Sequence, residues 1–405
     1  MKARSVVNDK IGNADLLKGV VIAGRSGYYD ISTDSGRIAS LTPSQAKGGG
    51  FITPLLADVH VHLDKTFTIG RIAERGSAKV ECLFDAIDLM NIDRESWNAD
   101  DIHARATRGL EAAYAQGVGA MRTHVDWTTP DVPTAWPVLN ELRQEWQDRI
   151  DFELAALIHG DIVLDSAAAI AQRVAKDGGV LGAFFYRNAD LDAKIEHMFR
   201  LAVQHGLKLD FHVDEGLELE ADGFSLIVAA TKRHNMGRRV LCGHACSLSL
   251  RSPEELSRIL DAAAEAGTAL VSLPTSNLYL QDRLGGKSPR LRGVAPLKEA
   301  RRAGIDAMLG SDNVCDAFYP YGDYDPLSVL RLAAPVCHLE PDEWLDSITT
   351  LSARFIGSDR VQALNEGGNA NFIWHDATDI NDLISRPQAR RVIWRDGKKT
   401  NRRTP

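Results

Sequence analysis

The sequence has few of the features that mark secreted or membrane proteins. Only 5 of its 405 residues are cysteine, and they are scattered along the chain. A chain of this size with so few cysteines is typical of a reducing compartment, so we predict a cytoplasmic protein. No apolar run reaches the roughly 18 residues that a membrane span needs. The first residues have no apolar run after their charges, and we therefore expect no signal peptide.

Basic runs and stripes of basic and aromatic residues are also missing, apart from a short basic tail near residue 403. The formal net charge of -8 argues against a nucleic acid or an anionic membrane as partner. Hydrophobic residues make up 44% of the chain and charged residues 25%, as in ordinary soluble enzymes. We therefore expect a small molecule as the partner, and a homo-oligomer is possible.

Short apolar runs alternate with longer amphipathic stretches through the middle of the chain, and stretches 101–116, 191–204 and 253–266 have apolar residues at helical spacing. Eight such units predict a (β/α)8 TIM-type barrel. A doubly wound sheet would alternate similarly, but no glycine-rich phosphate loop follows the first run. The predicted barrel strands are residues 51–59, 119–124, 152–158, 180–185, 208–212, 239–244, 269–273 and 305–309.

The two chain ends resemble each other in containing short strands and turns. Strands are predicted at 17–23 and 28–31 and, at the far end, at 371–375 and 391–395, followed by a tight turn at Asp396-Gly397. The two ends together predict a small β-sandwich domain of residues 1–52 and 362–405. It would flank a barrel domain of residues 53–361.

Polar residues gather where the predicted barrel strands end, which is the face that carries the active site in TIM-type barrels. The chain has 12 histidines, and six of them lie at these ends. Random placement would scatter them along the chain. The polar residues at the strand ends include His60, His62, His124, His159, His212, Glu215, His244, Asp312 and Asn313.

His60-Val61-His62 is the sharpest single motif. Residues i and i+2 of a strand point to the same side, so two imidazoles can converge on one cation. Taken alone, such a pair can equally be two surface histidines on a strand. The matching His212, His244 and Asp312 at other strand ends favour a metal centre.

Five motifs together resemble the amidohydrolase superfamily, and within it the cytosine deaminase-like branch. They are HVHLDK from residue 60, RTHVD from residue 122, HVDE from residue 212, GH from residue 243 and SDN from residue 311. The resemblance implies a metal held by His60, His62, His212 and Asp312. Some relatives bind a second metal through a lysine at the end of strand 4, but this strand has none. The resemblance therefore implies one divalent ion, zinc or iron(II).

The resemblance also implies the catalytic residues. Asp312 would take the proton of the attacking water, in addition to approaching or binding the metal. His244 would polarise the forming oxyanion or orient the water, and Glu215 would carry a proton to the ring nitrogen and the leaving amine. Whether His124 supports the metal site or only caps its strand stays open.

The predicted substrate-binding residues depart from cytosine deaminase proper. His159 stands in place of a glutamine, Asn313 in place of an aspartate and Phe318 in place of a tryptophan. The Asp312-Asn313 pair is also similar to the N-isopropylammelide isopropylamidohydrolase branch. Lys65 would contact the substrate or pair with an acid. The aromatic residues between 318 and 324 would either cover a flat ring or pack within their own loop.

These observations predict a metal-dependent hydrolytic deaminase of a cytosine-like, amino-substituted nitrogen heterocycle. An alternative is hydrolysis of a cyclic amide or an N-alkyl amine on a triazine or pyrimidine ring. A second alternative is a non-catalytic metal-binding protein on the same fold. Glu215 and His244 argue against that alternative, because neither is needed merely to hold a metal.

Overall fold

The computed structural model describes residues 16–74 and 80–400. Its strands build two sheets. In chain order they are β1 (Leu16–Ile22), β2 (Tyr29–Asp34), β3 (Arg37–Pro43), β4 (Phe51–Pro54), β5 (Leu56–Val61), β6 (Val118–Trp127), β7 (Asp151–His159), β8 (Val180–Phe185), β9 (Leu209–Val213), β10 (Val240–His244), β11 (Ala269–Ser272), β12 (Ala307–Leu309), β13 (Phe372–His375), β14 (Arg391–Arg395) and β15 (Lys398–Thr400).

Helices connect these strands and pack around the larger sheet. In chain order they are α1 (Ile69–Glu74), α2 (Leu83–Arg94), α3 (Ala99–Gln116), α4 (Ala135–Glu145), α5 (Val163–Asp177), α6 (Leu191–His205), α7 (Gly223–Arg233), α8 (Pro253–Ala266), α9 (Pro274–Leu280), α10 (Leu297–Ala303), α11 (Pro326–Cys337), α12 (Pro341–Trp344), α13 (Thr350–Ile356) and α14 (Ile380–Ser385). None of the described helices is both long enough and apolar enough to cross a membrane.

Strands β5 to β12 form an eight-stranded parallel sheet in sequence order. The sheet closes on itself, because the Asp312 backbone N–H donates to the His60 carbonyl oxygen at 2.8 Å and Val61 pairs with Asp312. The predicted (β/α)8 barrel is therefore confirmed. Closure places the first and last strand ends, with His60 and Asp312, side by side.

The local sequence explains where the barrel helices begin and end. The Asn98 side chain accepts from the Asp101 backbone N–H at the start of α3, and Gly117 ends that helix with a φ of 99°. Ser252 caps α8 in the same way. A capping side chain satisfies an N–H that has no partner within the helix, and a terminal glycine adopts the left-handed backbone without strain. The predicted helices at 101–116 and 253–266 correspond to α3 and α8.

The second sheet combines both ends of the chain, in the order β15-β14-β13-β4-β1-β2-β3. Its pairings are antiparallel except for β1 with β4. It has its own apolar core, in which Phe372 stacks on Trp394 with ring centroids 5.0 Å apart. The prediction that the chain ends form one small β-domain is thus confirmed.

The apolar run at 51–59 is not one strand, as the sequence predicted, but two. β4 belongs to the small sheet and β5 to the barrel, and they are separated by Leu55 alone. All residues of both strands are buried, so the hydrophobic pattern is continuous across the change of sheet. The junction between the sheets follows Pro54, close to the predicted domain boundary.

Gly182 in β8 offers a test of how tightly the barrel is packed beneath the site. A Cβ there would lie 2.2 Å from the Asp210 carbonyl oxygen and 2.8 Å from the Ala156 carbonyl oxygen. Since both are backbone atoms of neighbouring strands, Gly182→Ala should lower the free energy of unfolding by about 3 kcal/mol. Urea denaturation measures the effect.

The matched control for this prediction is Gly70→Ala in α1. A Cβ at Gly70 meets nothing within 4 Å. Alanine is favoured over glycine in a helix by about 1 kcal/mol, so this variant should be as stable as the parent or more stable. If Gly182→Ala unfolds at the same urea concentration as Gly70→Ala, the barrel strands are less closely packed at this point than the structure indicates.

Candidate active site

Four histidines from three barrel strands converge at the C-terminal mouth of the barrel. His60 lies on β5 and His62 just after it, His124 lies on β6 and His212 on β9. One ring nitrogen from each lies within 4.8 Å of the others. His60 is central, with its ring centroid 4.1 Å from that of His124 and 4.4 Å from that of His212. The two-residue spacing of His60 and His62 brings both rings to the same centre, as predicted.

Asp312 and His244, which follow or end two further barrel strands, complete the cluster. Asp312 Oδ1 lies 3.1 Å from His62 Nε2 and 3.5 Å from His60 Nε2. One atom each of His60, His244 and Asp312 also lie within 4.8 Å of one another. The structure thus brings together all four predicted metal ligands and the predicted catalytic His244.

The side chains at this centre are nearly inaccessible to water. His60 is 0% exposed and Asp312 is 1% exposed. Several of their polar atoms have no hydrogen-bond partner among the described residues, although an unpaired buried polar group costs about 1–3 kcal/mol. These atoms are both ring nitrogens of His60, Nδ1 of His62 and of His212, Nε2 of His244, and Oδ1 of Asp312.

The donor set fits a divalent cation. The Nε2 atoms of His62 and His212 face each other at 3.2 Å, a distance that two lone pairs tolerate only with a proton or a cation near both. Imidazole nitrogens with one carboxylate suit zinc or iron. The buried atoms that lack partners are therefore those that a bound cation would satisfy.

The electrostatics of the site keep the imidazoles neutral. Burial, together with the neighbouring histidines, lowers the pKa of His60 and of His244 to about 3 and that of His212 well below its usual value. For Asp312, burial acts in the opposite direction, but the close imidazoles of His60, His62 and His244 hold its pKa well below the usual range. Neutral imidazoles and an ionised carboxylate are the protonation states that bind metal.

His124 is held by a carboxylate that has no assigned role in the sequence motifs. Its Nε2 lies 3.1 Å from Asp210 Oδ1, and Asp210 Oδ2 accepts from Arg122 Nη1 at 2.8 Å. All three side chains are fully buried. Asp210 stands two residues before His212 on β9, so the alternation of a strand turns both toward the barrel interior. That spacing was the available signal for Asp210.

Two residues of the short helix α9 contact Asp312 and His244. The Ser276 hydroxyl donates to Asp312 Oδ2, and Asn277 Nδ2 lies 3.0 Å from His244 Nδ1. Glu215 Oε1 lies 3.5 Å from the same ring nitrogen. Burial and the charge of Asp312 raise the pKa of Glu215 well above its usual value, which favours the protonated carboxyl.

A cavity of about 640 Å³ opens onto this centre. All four predicted substrate-binding residues line it, and its remaining wall is largely apolar. The side chains around it include Lys65, Leu83, Ile87, Met90, Leu157, His159, Phe184, Glu215, Asn313 and Phe318. Leu83, Ile87 and Met90 belong to α2, whose place beside the cavity could not be predicted from the sequence.

Lys65 pairs with an acid within this cavity. Its Nζ lies 2.6 Å from Asp126 Oδ1 and 5.2 Å from the ring centroid of Phe318. Arg94 of α2 binds the other oxygen of Asp126, also at 2.6 Å. Although burial opposes it, the charges of Lys65 and Arg94 hold the pKa of Asp126 below its usual range. Asp126 therefore holds both cations on this side of the cavity.

The suggested aromatic lid is not formed by the residues that the sequence pointed to. Tyr324 is only 1% exposed and packs in the barrel core, whereas Tyr321 is 62% exposed. Of the four aromatic residues between 318 and 324, Phe318 alone lines the cavity. The apolar cover comes instead from α2, whose side chains contact Phe184 and Phe318.

Known proteins are similar to this chain over most of its length. Residues 112–400 match the family described as Amidohydrolase family. A pterin deaminase from Rhizobium rhizogenes is 37% identical over 363 residues, covering 88% of this chain and 82% of that protein.

Two solved structures share the architecture over nearly their whole length. The 5-methylcytosine deaminase from Klebsiella pneumoniae bound to 5-fluorocytosine has a TM-score of 0.84 and 25% identity, covering 96% of this chain and 98% of its own. N-isopropylammelide isopropylaminohydrolase from Burkholderia multivorans has a TM-score of 0.77 and 24% identity, covering 95% and 97%. The chain therefore belongs to the amidohydrolase family, a family of enzymes that hydrolyse carbon–nitrogen bonds.

Proposed function

We propose that the protein is a metal-dependent hydrolytic deaminase of an amino-substituted nitrogen heterocycle, with a fused aminopyrimidine such as pterin favoured over cytosine itself. The observation that carries the chemistry is the convergence of buried imidazoles and Asp312 on one point, beside the buried carboxyl of Glu215. The preference for a pterin-type ring is supported by the 37% identity to a pterin deaminase, against 25% to the 5-methylcytosine deaminase.

His60, His62, His212 and Asp312 would hold one divalent ion, zinc or iron(II). A bound cation supplies one effect here: it lowers the pKa of a bound water from about 15.7 toward roughly 7. β8, with the sequence VLGAFF, offers no lysine for a second metal. His124 faces Asp210, and we assign it to the support of His60 and His212.

Asp312 is placed to accept the proton of the attacking water. Its Oδ1 lies at the centre of the site, while Oδ2 is held by Ser276. Glu215 is 4% exposed, and burial raises its pKa, so its carboxyl can deliver a proton to the ring nitrogen and to the departing amine. His244 lies between them and can stabilise the negative charge that forms on the added oxygen.

The net reaction balances with these groups. The water oxygen bonds to the ring carbon that carries the amino group. The carbon–nitrogen bond then breaks, and the amine leaves as ammonia with protons relayed through Asp312 and Glu215. The product is the corresponding oxo heterocycle. No oxidant or further co-substrate is required.

The cavity suits a flat bicyclic ring. Its lining combines apolar side chains with a few polar ones, as is usual for small-molecule sites. Phe184, Phe318 and Leu157 offer apolar surface to the ring faces. His159, Lys65 and Asn313 supply polar atoms, and we propose that these read the ring edge.

The alternative reactions use the same centre and differ in their products. Hydrolysis of an N-alkyl amine would release an alkylamine in place of ammonia, and hydrolysis of a cyclic amide would open the ring. A non-catalytic metal-binding role leaves the buried Glu215 beside His244 without a purpose. Deamination accounts for both side chains.

All five cysteines are unpaired in the structure. Unpaired thiols persist where the surroundings are reducing, and we propose a cytoplasmic location on that ground. A homo-oligomer stays a prediction from the family resemblance.

The first prediction concerns the metal. His212→Ala should bind it about 100-fold more weakly or worse, because loss of a ligand costs more than the about 10–100-fold typical of supporting residues. The measurement is bound metal per chain after dialysis against a chelator. His375→Gln is the control, since His375 is equally buried but pairs with Thr53 in the small sheet. Full metal occupancy in a folded His212→Ala variant would contradict the ligand assignment.

The second prediction concerns the reaction. The metal-loaded enzyme should release ammonia from pterin with a kcat/KM at least about tenfold above that for cytosine. Glu215→Gln should lower kcat by about 10²–10⁴-fold with metal content unchanged, because an amide N–H is too weakly acidic to transfer its proton. The assay is ammonia release from aminopteridines, aminopyrimidines, aminotriazines and aminopurines. No ammonia from any of them would exclude a deaminase and direct attention to amide and N-alkyl amine substrates.

A further inference from the structure

His244 stands at the end of β10 with its two ring nitrogens in different surroundings. The residue is 2% exposed, and its Nε2 faces the centre formed with His60 and Asp312 without a hydrogen-bond partner among the described residues. Its Nδ1 faces the Asn277 amide nitrogen at 3.0 Å and the Glu215 carboxyl at 3.5 Å. A neutral imidazole carries one N–H, so these neighbours decide which nitrogen bears it.

We propose that Asn277 is a positioning residue that keeps the proton of His244 on Nε2. His244 then acts as a hydrogen-bond donor to the reacting oxygen and not as an additional ligand of the metal. This inference rests on the proposed function, and it names the residue that sets the role of His244 within it.

The distances favour the amide over the carboxyl as the partner of Nδ1. The Asn277 contact of 3.0 Å lies within the normal range for a hydrogen bond, whereas the Glu215 contact of 3.5 Å lies beyond it. An amide N–H that donates to Nδ1 requires a lone pair there, which leaves the proton on Nε2.

The backbone around Asn277 holds the amide firmly. Asn277 is 0% exposed, its backbone N–H donates to the Leu273 carbonyl at 3.0 Å, and its carbonyl accepts from the Gln281 N–H at 2.8 Å. Pro274 lies in the first turn of the helix, where its fixed φ suits a helix start. The preceding residue, Ser276, binds Asp312. One turn of α9 therefore orients both the proposed base and the proposed donor.

The position of the proton decides what Nε2 can do. A protonated Nε2 stabilises negative charge as oxygen adds to the ring carbon, and a single donor of this kind is worth about 10²–10³-fold in kcat. A bare Nε2 would instead offer its lone pair to the cation. It would then close the coordination position that a catalytic site keeps open for water. The contact with Asn277 thus decides whether that coordination position stays open for water.

The direct test is the tautomer of His244, read by ¹⁵N NMR of zinc-loaded enzyme in which only histidine is labelled. Protonated and bare ring nitrogens resonate at well-separated shifts, and a His244→Gln sample assigns the signals. We expect a bare Nδ1 and a protonated Nε2 in the parent protein. Asn277→Asp should reverse the pattern, because a carboxylate can only accept a hydrogen bond and forces the proton onto Nδ1.

Activity gives the second readout. Asn277→Ala should lower kcat by about 10–100-fold, as is typical of residues that orient a site. Asn277→Asp should lower it further, by about 10²–10³-fold, since the donor is lost. KM should change by less than roughly threefold, because binding of the ring is untouched. Gln281→Ala, at the end of the same helix and outside the cavity, should behave as the parent.

A proton on Nδ1 in the parent protein overturns the proposal, and so does an Asn277→Asp variant with parent-like activity. Either result would mean that the amide oxygen, not the amide nitrogen, faces the ring. Metal content and circular dichroism verify that each variant is folded. If Asn277→Asp does not fold, the parent spectrum and Asn277→Ala still decide. Failure of the proposed function is a separate result, namely no ammonia from the parent enzyme, and the NMR spectrum does not depend on it.

Discussion

Buried donor atoms that lack protein partners are the constraint on which the rest of this structure depends. The imidazoles of His60, His62 and His212 and the carboxylate of Asp312 are removed from water and turned toward one another. Each unpaired buried group opposes folding by about 1–3 kcal/mol. A bound divalent cation would satisfy these atoms, so the free energy of metal binding would add to the stability of the folded chain. The closed barrel keeps the donors together regardless of that cost.

A chain of charges supports this centre from beneath. Arg122 is fully buried between Asp210, which holds His124, and Glu153, whose second oxygen accepts from Lys208 at 2.9 Å. Lys208 also donates to the carbonyl oxygens at the end of α13. Removing one partner from a buried ion pair typically costs about 3–5 kcal/mol, because the other charge is left uncompensated. The network therefore fixes His124, whose ring packs against that of His60. It also links the site to the helix α13.

The sequence could predict those features that follow from spacing along a single element. His60 and His62 share a side of one strand, and His212 and Asp312 follow two others, so the clustering of these four side chains could be predicted from the motifs. The helices α3 and α8 were marked by their apolar spacing. The division of residues 51–59 between two sheets was not predictable, because the burial of that segment is continuous.

Contacts between distant elements were also hidden. Nothing in the sequence LFDAIDLMNIDR indicates that α2 covers the cavity, since Leu83 and Met90 could pack against any apolar surface. In the sequence, Asn277 is only one of several polar residues that follow a strand. Its proposed role follows from the 3.0 Å distance between its Nδ2 and Nδ1 of His244, a residue 33 positions away in the chain. Spacing rules act within an element, and they do not reach across a barrel mouth.

The proposed metal donors and the residues of the cavity wall differ in how freely they can change within the family. The proposed metal donors lie on barrel strands or shortly after them, where a change would disturb both the barrel and a buried polar cluster. Leu83, Met90 and Phe318 stand on a helix and a loop outside the strands, and they contact the cavity without supporting the metal centre. Such positions can change with little loss of stability. Relatives named for pterin and for 5-methylcytosine can therefore share one architecture. Selection between a single and a fused ring then depends on the walls of the cavity, whereas cleavage of the carbon–nitrogen bond depends on the strand ends.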